Sequence, residues 1–148
     1  TSLTYLSLAK NNITDISKAA FCTGLTELDI SGNVITDITP LQGLVKLVYF
    51  NFSYNQVTQL PQWSKDCALV TIDGAYNLLS SLDTLSGMPA LNNVYMDYNE
   101  EIASVEALAV CPVLIQVNVY GTKVTEVKSL TDQSVIVNYT PVQIEDED

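Results

Sequence analysis

The chain has 148 residues, 47% of them hydrophobic, which is enough to bury the core of one folded domain. Its net charge of -11 repels phosphate backbones and so disfavours DNA and RNA as ligands, and no apolar run reaches the roughly 18 residues of a membrane helix. Histidine is absent, which excludes Ser-His-Asp and Cys-His catalysis and any histidine-ligated metal site.

Six copies of one pattern follow one another along the chain. They read LTYLSLAKNNI, LTELDISGNVI, LVYFNFSYNQV, LVTIDGAYNLL, LNNVYMDYNEEI and LIQVNVYGTKV, and they begin at Leu3, Leu25, Leu47, Leu69, Leu91 and Leu114. The step is 22 residues four times and then 23, because Glu100-Glu101 contains one extra residue. Each copy matches LxxLxLxxNxI, the signature of a leucine-rich repeat.

Each copy predicts the same local structure. The xLxL stretch alternates with period two, which predicts a short strand with one buried face. The asparagine that follows predicts a sharp turn, and Asn11, Asn33, Asn55, Asn77 and Asn99 are expected to stack as a ladder that Thr122 interrupts. The apolar residues of the return segment predict 3₁₀ turns or extended chain. One repeat cannot bury its apolar side alone, so the copies must stack as a solenoid.

The segment Asn33-Val34-Ile35-Thr36-Asp37-Ile38-Thr39-Pro40-Leu41, followed by Leu44 and Leu47, resembles the 22-residue leucine-rich repeats of the bacterial internalins. Asn12-Ile13-Thr14-Asp15-Ile16 has the same core, and the resemblance covers essentially residues 1–130. It implies a right-handed solenoid with a parallel sheet on the concave side and 3₁₀ turns on the convex side. It also implies a secreted or wall-attached protein that recognises other surface proteins through that sheet.

The ends of the chain predict its organisation. Residues 1–134 are assigned to the repeats, and residues 135–148 to a capping strand over the open end and an acidic tail, Glu145-Asp146-Glu147-Asp148. The chain begins at Thr1 in the middle of the pattern, so we expect it to be a fragment or a processed form. A secreted or cell-surface location is expected, with any export signal carried by a segment before Thr1.

The strand geometry predicts which side chains face a ligand, because the third, fifth and seventh positions of LxxLxLxxN point out of the sheet and the eighth lies at its rim. The predicted binding residues are Tyr5, Glu27, Asp29, Tyr49, Asn51, Tyr54, Asp73, Tyr76, Tyr95, Asp97, Tyr98 and Tyr120, here called the concave face. Seven of the eight tyrosines belong to it. Tyrosine is enriched in binding surfaces because it gives large contact area at low entropic cost.

A surface of tyrosines and carboxylates favours a protein partner with a basic patch, held by ion pairs and cation–π contacts. Lys10 is the only basic residue in the four columns. A carbohydrate ligand also suits aromatic rings beside carboxylates. Two further alternatives are a structural spacer within a larger protein, in which tyrosine serves only as a good strand former, and an intracellular regulatory subunit.

The sequence predicts no enzyme and no cofactor. Asp73 and Asp97 are paired acids, but an open solvated sheet is expected to shift their pKa values little. Asp29 and Asp73 lie two strands apart, roughly 9.6 Å, too far to share one calcium ion.

Cys22, Cys67 and Cys111 fall near one apolar position, two repeats apart, and are expected to be reduced and buried. Gly74 replaces a core residue, and Phe52 or Met96 is expected to fill its space.

Overall fold

A computed structural model describes residues 2–140. The strands are β1 (Tyr5–Ser7), β2 (Glu27–Asp29), β3 (Tyr49–Asn51), β4 (Thr71–Asp73), β5 (Asn93–Tyr95), β6 (Gln116–Val119) and β7 (Ile136–Tyr139). The return segments contain 3₁₀ turns at Ser17–Phe21, Thr39–Gly43, Asp83–Leu85 and Glu106–Val110, and a single short helix, α1 (Lys128–Thr131), among the described residues. None of the helices within residues 2–140 is long and apolar enough to cross a membrane.

All seven strands form one parallel sheet in the order β1 to β7. The register is in phase from repeat to repeat, so that Tyr5 is opposite Glu27 and Ser7 is opposite Asp29, and the same positions continue across the sheet. The residue between them points the other way and is buried in β2 to β6. The predicted leucine-rich-repeat solenoid, with a parallel sheet on one side and 3₁₀ turns on the other, is thereby confirmed.

The strand β7 pairs in parallel with β6 and extends the sheet beyond the last repeat. Val137 and Tyr139 are partly buried and pack against the hydrophobic core at this end. The division of the chain at residue 134 stays a prediction. The acidic tail predicted at 145–148 lies outside the described residues.

The predicted asparagine ladder is present in the turns that follow the strands. Asn55 Nδ2 donates to the carbonyl oxygens of Phe52 in its own repeat and Ile30 in the preceding repeat, at 2.9 and 3.0 Å. Its Oδ1 accepts the N–H of Ile35 at 3.0 Å. Asn33, Asn77 and Asn99 repeat these contacts, so each buried amide ties two successive repeats together.

The Thr-Asp of the repeat motif also has a structural role. Asp15 and Asp37 each accept the backbone N–H two residues later, at 2.8 and 2.9 Å, which starts the 3₁₀ turn of the return segment. Ser81, Ser104 and Glu126 do the same at the equivalent position. The third repeat has Gln59 there, and its return segment contains no 3₁₀ turn.

Two core predictions have different outcomes. A Cβ built on Gly74 would stand 2.9 Å from Met96 Sδ and would overlap the Phe52 ring, so both neighbours fill the space, as expected. The three cysteines are free, and Cys67 and Cys111 are buried. The prediction of burial is wrong for Cys22, which is half-buried because it lies in the first return segment, where no preceding repeat among the described residues covers it.

Candidate functional site

The twelve side chains of the concave face are all exposed or half-buried, and none is fully buried. Eight of them sit in or next to strands, and the buried middle residues of β2 to β6 anchor the sheet to the core, so their backbone positions are fixed by the ladder. Tyr5, at 59%, is the most exposed of the tyrosines. The surface is therefore a rigid wall from which polar and aromatic side chains project.

The eighth position of each repeat has an unusual backbone. Lys10, Tyr54, Tyr76 and Tyr98 have φ between 55° and 58°, and Gly32 and Gly121, at the same position, have φ of 66°. A left-handed conformation is uncommon for residues with a Cβ. In the first five repeats this backbone N–H donates to a carbonyl of the next repeat, as Tyr54 does to Ala75 at 2.9 Å, and in the sixth Gly121 donates to Thr140 Oγ1 at 2.8 Å. This repeated bond holds the conformation.

Three tyrosines of this column form a stack. The ring centroids of Tyr54 and Tyr76 are 4.3 Å apart with an interplanar angle of 11°, and those of Tyr76 and Tyr98 are 4.6 Å apart at 19°. We call these three residues the tyrosine stack. Each ring thus packs on one or two neighbouring rings, yet all three residues remain between 41% and 58% exposed.

The polar side chains of the fifth column are oriented by their own turns. Asp29, Asn51 and Asp73 each accept the backbone N–H two residues later, at 3.0, 3.0 and 3.1 Å. Tyr95 takes this position in the fifth repeat, and there Asp97 reaches across to accept the N–H of Tyr120 at 2.7 Å. These bonds leave the carboxylates half-buried and fixed at the surface.

The expectation that the pKa values of Asp73 and Asp97 shift little is wrong. Burial raises the pKa of Asp73, and the nearby charges of Asp97 and Asp29 raise it further against the lowering effect of the Ala75 N–H. Burial likewise raises the pKa of Asp97, against the lowering effect of the Tyr120 N–H. The sheet is less solvated at its centre than expected, because neighbouring side chains of the concave face crowd these carboxylates.

Charge is unbalanced on this surface. Within residues 2–140 the ion pairs are Lys123–Glu101 and Lys128–Asp132, both 2.6 Å and both outside the concave face. Its four carboxylates, which belong to Glu27, Asp29, Asp73 and Asp97, thus have no cationic partner in the described part of the chain. No cluster of three or more potential metal ligands occurs in that part either.

The predicted residues are not one compact site. The tyrosine stack and the carboxylates of the central repeats are neighbours, whereas Tyr5 and Tyr120 lie five repeats apart at the two ends. Lys10 and Gly32 were not predicted as site residues, although they belong to the same column as the tyrosine stack. The signal was present in the sequence, because glycine at positions 32 and 121 of an otherwise long-side-chain column marks a place where a ring is missing.

Comparison with known proteins agrees with this geometry. Residues 1–43 and 23–65 each match the family described as Leucine Rich repeats (2 copies). An internalin from Listeria monocytogenes, InlF, superposes with a TM-score of 0.86 at 22% identity, over 97% of this chain and 44% of that one. Internalin C2 from the same species gives a TM-score of 0.75 at 28% identity, over 93% of this chain and 71% of that one.

The functional domain of InlJ from Listeria monocytogenes, which includes a cysteine ladder, gives a TM-score of 0.63 at 20% identity. That alignment covers 97% of this chain and 37% of the InlJ domain. The chain thus spans less than half the length of the InlF and InlJ structures. No curated protein sequence matches it. The repeat signature, the parallel sheet and these similarities together make the chain an internalin-like leucine-rich-repeat solenoid.

Proposed function

We propose that the chain is a non-enzymatic binding module that recognises a protein with a basic patch through the concave face. The observation that carries the proposal is the combination on one rigid wall of seven tyrosines with four carboxylates that have no cationic partner among the described residues. Leucine-rich-repeat domains are general protein-interaction modules, and the internalin-like ones are typically non-enzymatic.

The tyrosine stack supports tight contact at low entropic cost. Each ring is held by its neighbour at 4.3 or 4.6 Å, so little side-chain freedom remains to be lost when a partner covers the exposed edges. The phenolic hydroxyls provide polar tips along the same edge. A preorganised aromatic rim of this kind is typical of a protein interface.

The carboxylates favour a partner whose contacting surface is positively charged. With Lys10 as the single base in the four columns, the surface attracts Lys or Arg side chains and repels acidic proteins. The half-buried Asp73 and Asp97 carry a raised pKa because burial penalises their charge, and a cation brought next to them would relieve that penalty. The partial burial of Asp73 and Asp97 therefore favours binding of a cationic side chain of the partner.

We further propose that the module belongs to a bacterial surface or secreted protein. The similar structures named above are Listeria internalins, and this chain aligns with a part of InlF and InlJ rather than their full length. The location and the partner of the whole protein are inferred from that similarity. The extended sheet of seven strands provides a surface that an exposed partner protein on another surface can cover.

The experiment is capture of surface proteins by the immobilised chain, followed by mass spectrometry. Replacing Tyr54, Tyr76 and Tyr95 by Ala should reduce capture roughly tenfold or more, the usual cost of truncating central aromatic interface residues, while the far-ultraviolet circular dichroism is retained. A matched control replaces Phe21 and Val110, which are 75% and 64% exposed on return segments, by Ala and should leave capture unchanged.

Three further outcomes separate the alternatives. Capture through ion pairs should weaken as salt rises from 50 to 500 mM, on the order of several-fold, because the Debye length shortens. Equal capture by the triple variant and the wild type would favour the structural spacer. Competition by neutral oligosaccharides without any effect of salt would favour a carbohydrate ligand.

A further inference from the structure

Two positions of the column that contains the tyrosine stack have no side chain, one before the stack and one after it. In order along the sheet the column reads Lys10, Gly32, Tyr54, Tyr76, Tyr98 and Gly121. The three tyrosines stack on one another, and Gly32 precedes them where the next ring of the stack would be expected. The stack therefore ends at Tyr54, one repeat short of Lys10.

Lys10 and Tyr98, the residues of this column that precede its two glycines, each lie against the glycine of the following repeat. A Cβ built on Gly121 would have Tyr98 ring carbons as its three nearest neighbours, at 2.5, 2.8 and 3.1 Å. At Gly32 the three nearest atoms all belong to Lys10, at 3.4 Å. Because Gly32 has no side chain, the ring face of Tyr54 that points back toward Gly32 has no ring against it.

The width of this space follows from the repeat. Lys10 and Tyr54 are two strands apart, so equivalent atoms of their side chains are separated by roughly 9.6 Å. A planar group midway between them would lie about 4.8 Å from each. That spacing is close to the 4.3 and 4.6 Å at which the tyrosine rings already stack. The gap accommodates one ring and is too narrow for two.

We propose that the gap between Lys10 and Tyr54 over Gly32, here called the Gly32 slot, receives one aromatic side chain of the partner protein. The inserted ring continues the tyrosine stack by packing on the free face of Tyr54. This proposal rests on the proposed function and adds to it a defined anchor point at the N-terminal end of the stack. The greater exposure of Tyr54, 58% against 41% for Tyr76, agrees with a free ring face.

Charge selects the aromatic ring over an arginine. The opposite wall of the Gly32 slot is the side chain of Lys10, whose ammonium is attracted to the π face of a ring but repels a guanidinium. An electron-rich ring, Trp or Tyr, gains most from this arrangement. The basic residues of the partner are left to the carboxylates of Asp29 and Asp73, which lie in the neighbouring fifth column.

The chain itself provides a way to close the slot. Tyrosine already occupies this position at φ of 55°, 57° and 56° in three repeats, so Gly32→Tyr introduces a residue that the turn tolerates. Its ring would lean toward Tyr54 and fill the Gly32 slot. The control is Gly32→Ala, which adds the Cβ at the same left-handed φ but leaves the space for the ring empty.

The test is an NMR titration of the full chain, labelled on tyrosine rings and glycine amides, with N-acetyl-tryptophanamide and, separately, with N-acetyl-argininamide. The tryptophan probe should shift the ring signals of Tyr54 and the amide signal of Gly32 upfield and leave Tyr98 and Gly121 unchanged. The shift of the Tyr54 ring signals should persist in Gly32→Ala and disappear in Gly32→Tyr. If Gly32→Tyr does not fold, Tyr54→Ala, which removes one wall, should abolish the Gly32 shift.

Several outcomes would overturn the proposal. These are equal shifts on all three rings of the tyrosine stack, shifts unchanged in Gly32→Tyr, and a response to the arginine probe that equals or exceeds the response to the tryptophan probe. The partner-capture experiment distinguishes failure of the Gly32 slot proposal from failure of the proposed function. If the triple tyrosine variant loses capture and Gly32→Tyr retains it, the Gly32 slot is not an anchor but the concave face still binds; if neither variant loses capture, the proposed function fails as well.

Discussion

The ring of Phe52 occupies the space that a side chain on Gly74 would need. The two residues have the same position in neighbouring repeats, directly after β3 and β4, and Met96 closes the space from the other side. A large residue in one repeat is thus compensated by the absence of a side chain in the next, so that the core stays filled across β3 to β5.

We therefore expect Gly74→Ala to destabilise the solenoid. The added methyl group has to displace the Phe52 ring and Met96 Sδ, and overpacking of this kind costs about 1–3 kcal/mol. Urea unfolding followed by circular dichroism measures the change. Gly43→Ala is the control, since nothing lies within 4 Å of its Cβ, and Phe52→Leu should restore part of the stability of Gly74→Ala. An unfolding free energy equal to that of the wild type would show that the ring moves away without cost.

The contrast between Asp37 and Gln59 predicts a second difference. Asp37 Oδ1 accepts hydrogen bonds from the backbone N–H of Thr39 at 2.9 Å and from the Thr39 hydroxyl at 2.6 Å. The third repeat, with Gln59 at this position, forms no 3₁₀ turn. Asp37→Ala should lower the free energy of unfolding by about 0.5–1.5 kcal/mol, the net value of such bonds. Gln59→Ala should change it little. Equal effects of the two substitutions would contradict the role assigned to the aspartate.

The asparagine ladder predicts a larger effect that depends on position. Asn55→Ala leaves the Ile35 N–H and the Ile30 and Phe52 carbonyls without this buried partner, and we expect a loss of about 2–5 kcal/mol. Asn11, which is exposed and bonds to carbonyls of its own repeat, is the matched control. Asn11→Ala should lose less than about 1 kcal/mol. Thermal unfolding of both variants tests the difference, and similar losses would mean that the bonds between repeats add little.

The sequence predicts the fold well because a single pattern is repeated in phase. The alternation around Leu28 and Phe50 places every strand, and the asparagines locate every turn, so the register of the sheet follows from alignment of the copies. Two features were harder to predict. The exposure of Cys22 depends on what covers the first repeat, and the backbone conformation of the eighth position depends on hydrogen bonds between repeats.

The concave face was predictable in its residues but not in its details. Period-two alternation shows that the side chains of Tyr49 and Asn51 project from the same face of the sheet, because side-chain alternation is a property of the strand backbone. The stacking of Tyr54 on Tyr76 and the desolvation of Asp73 depend on side-chain rotamers and on crowding by neighbours. Those are properties of the assembled surface and not of any single repeat.

The raised pKa of Asp73 predicts how stability depends on pH. The folded state binds this proton more readily than the unfolded state does, so the charge of Asp73 destabilises the fold progressively as pH rises above the usual value of 3.8 and fully once pH exceeds the folded pKa. Asp73→Asn should therefore stabilise the chain at pH 7, by less than about 1 kcal/mol because solvent screens a half-exposed group. Asn51 makes the same bond to the N–H two residues later, so the substitution has a precedent in the adjacent strand.

Asp15, whose pKa is lowered and not raised, tests the sign of this dependence of stability on pH. Hydrogen bonds from Ser17 lower the pKa of Asp15, so its charge stabilises the fold above 3.8, and that stability is lost as pH falls through the folded pKa. Asp15→Asn should thus destabilise the chain at neutral pH, and this loss should disappear in acid. Urea unfolding of wild type and both variants from pH 3 to pH 7 measures the two differences. The desolvation of Asp73 would be refuted if both variants lost stability at pH 7, because the carboxylate would then contribute through its hydrogen bond to Ala75 and not suffer from its burial.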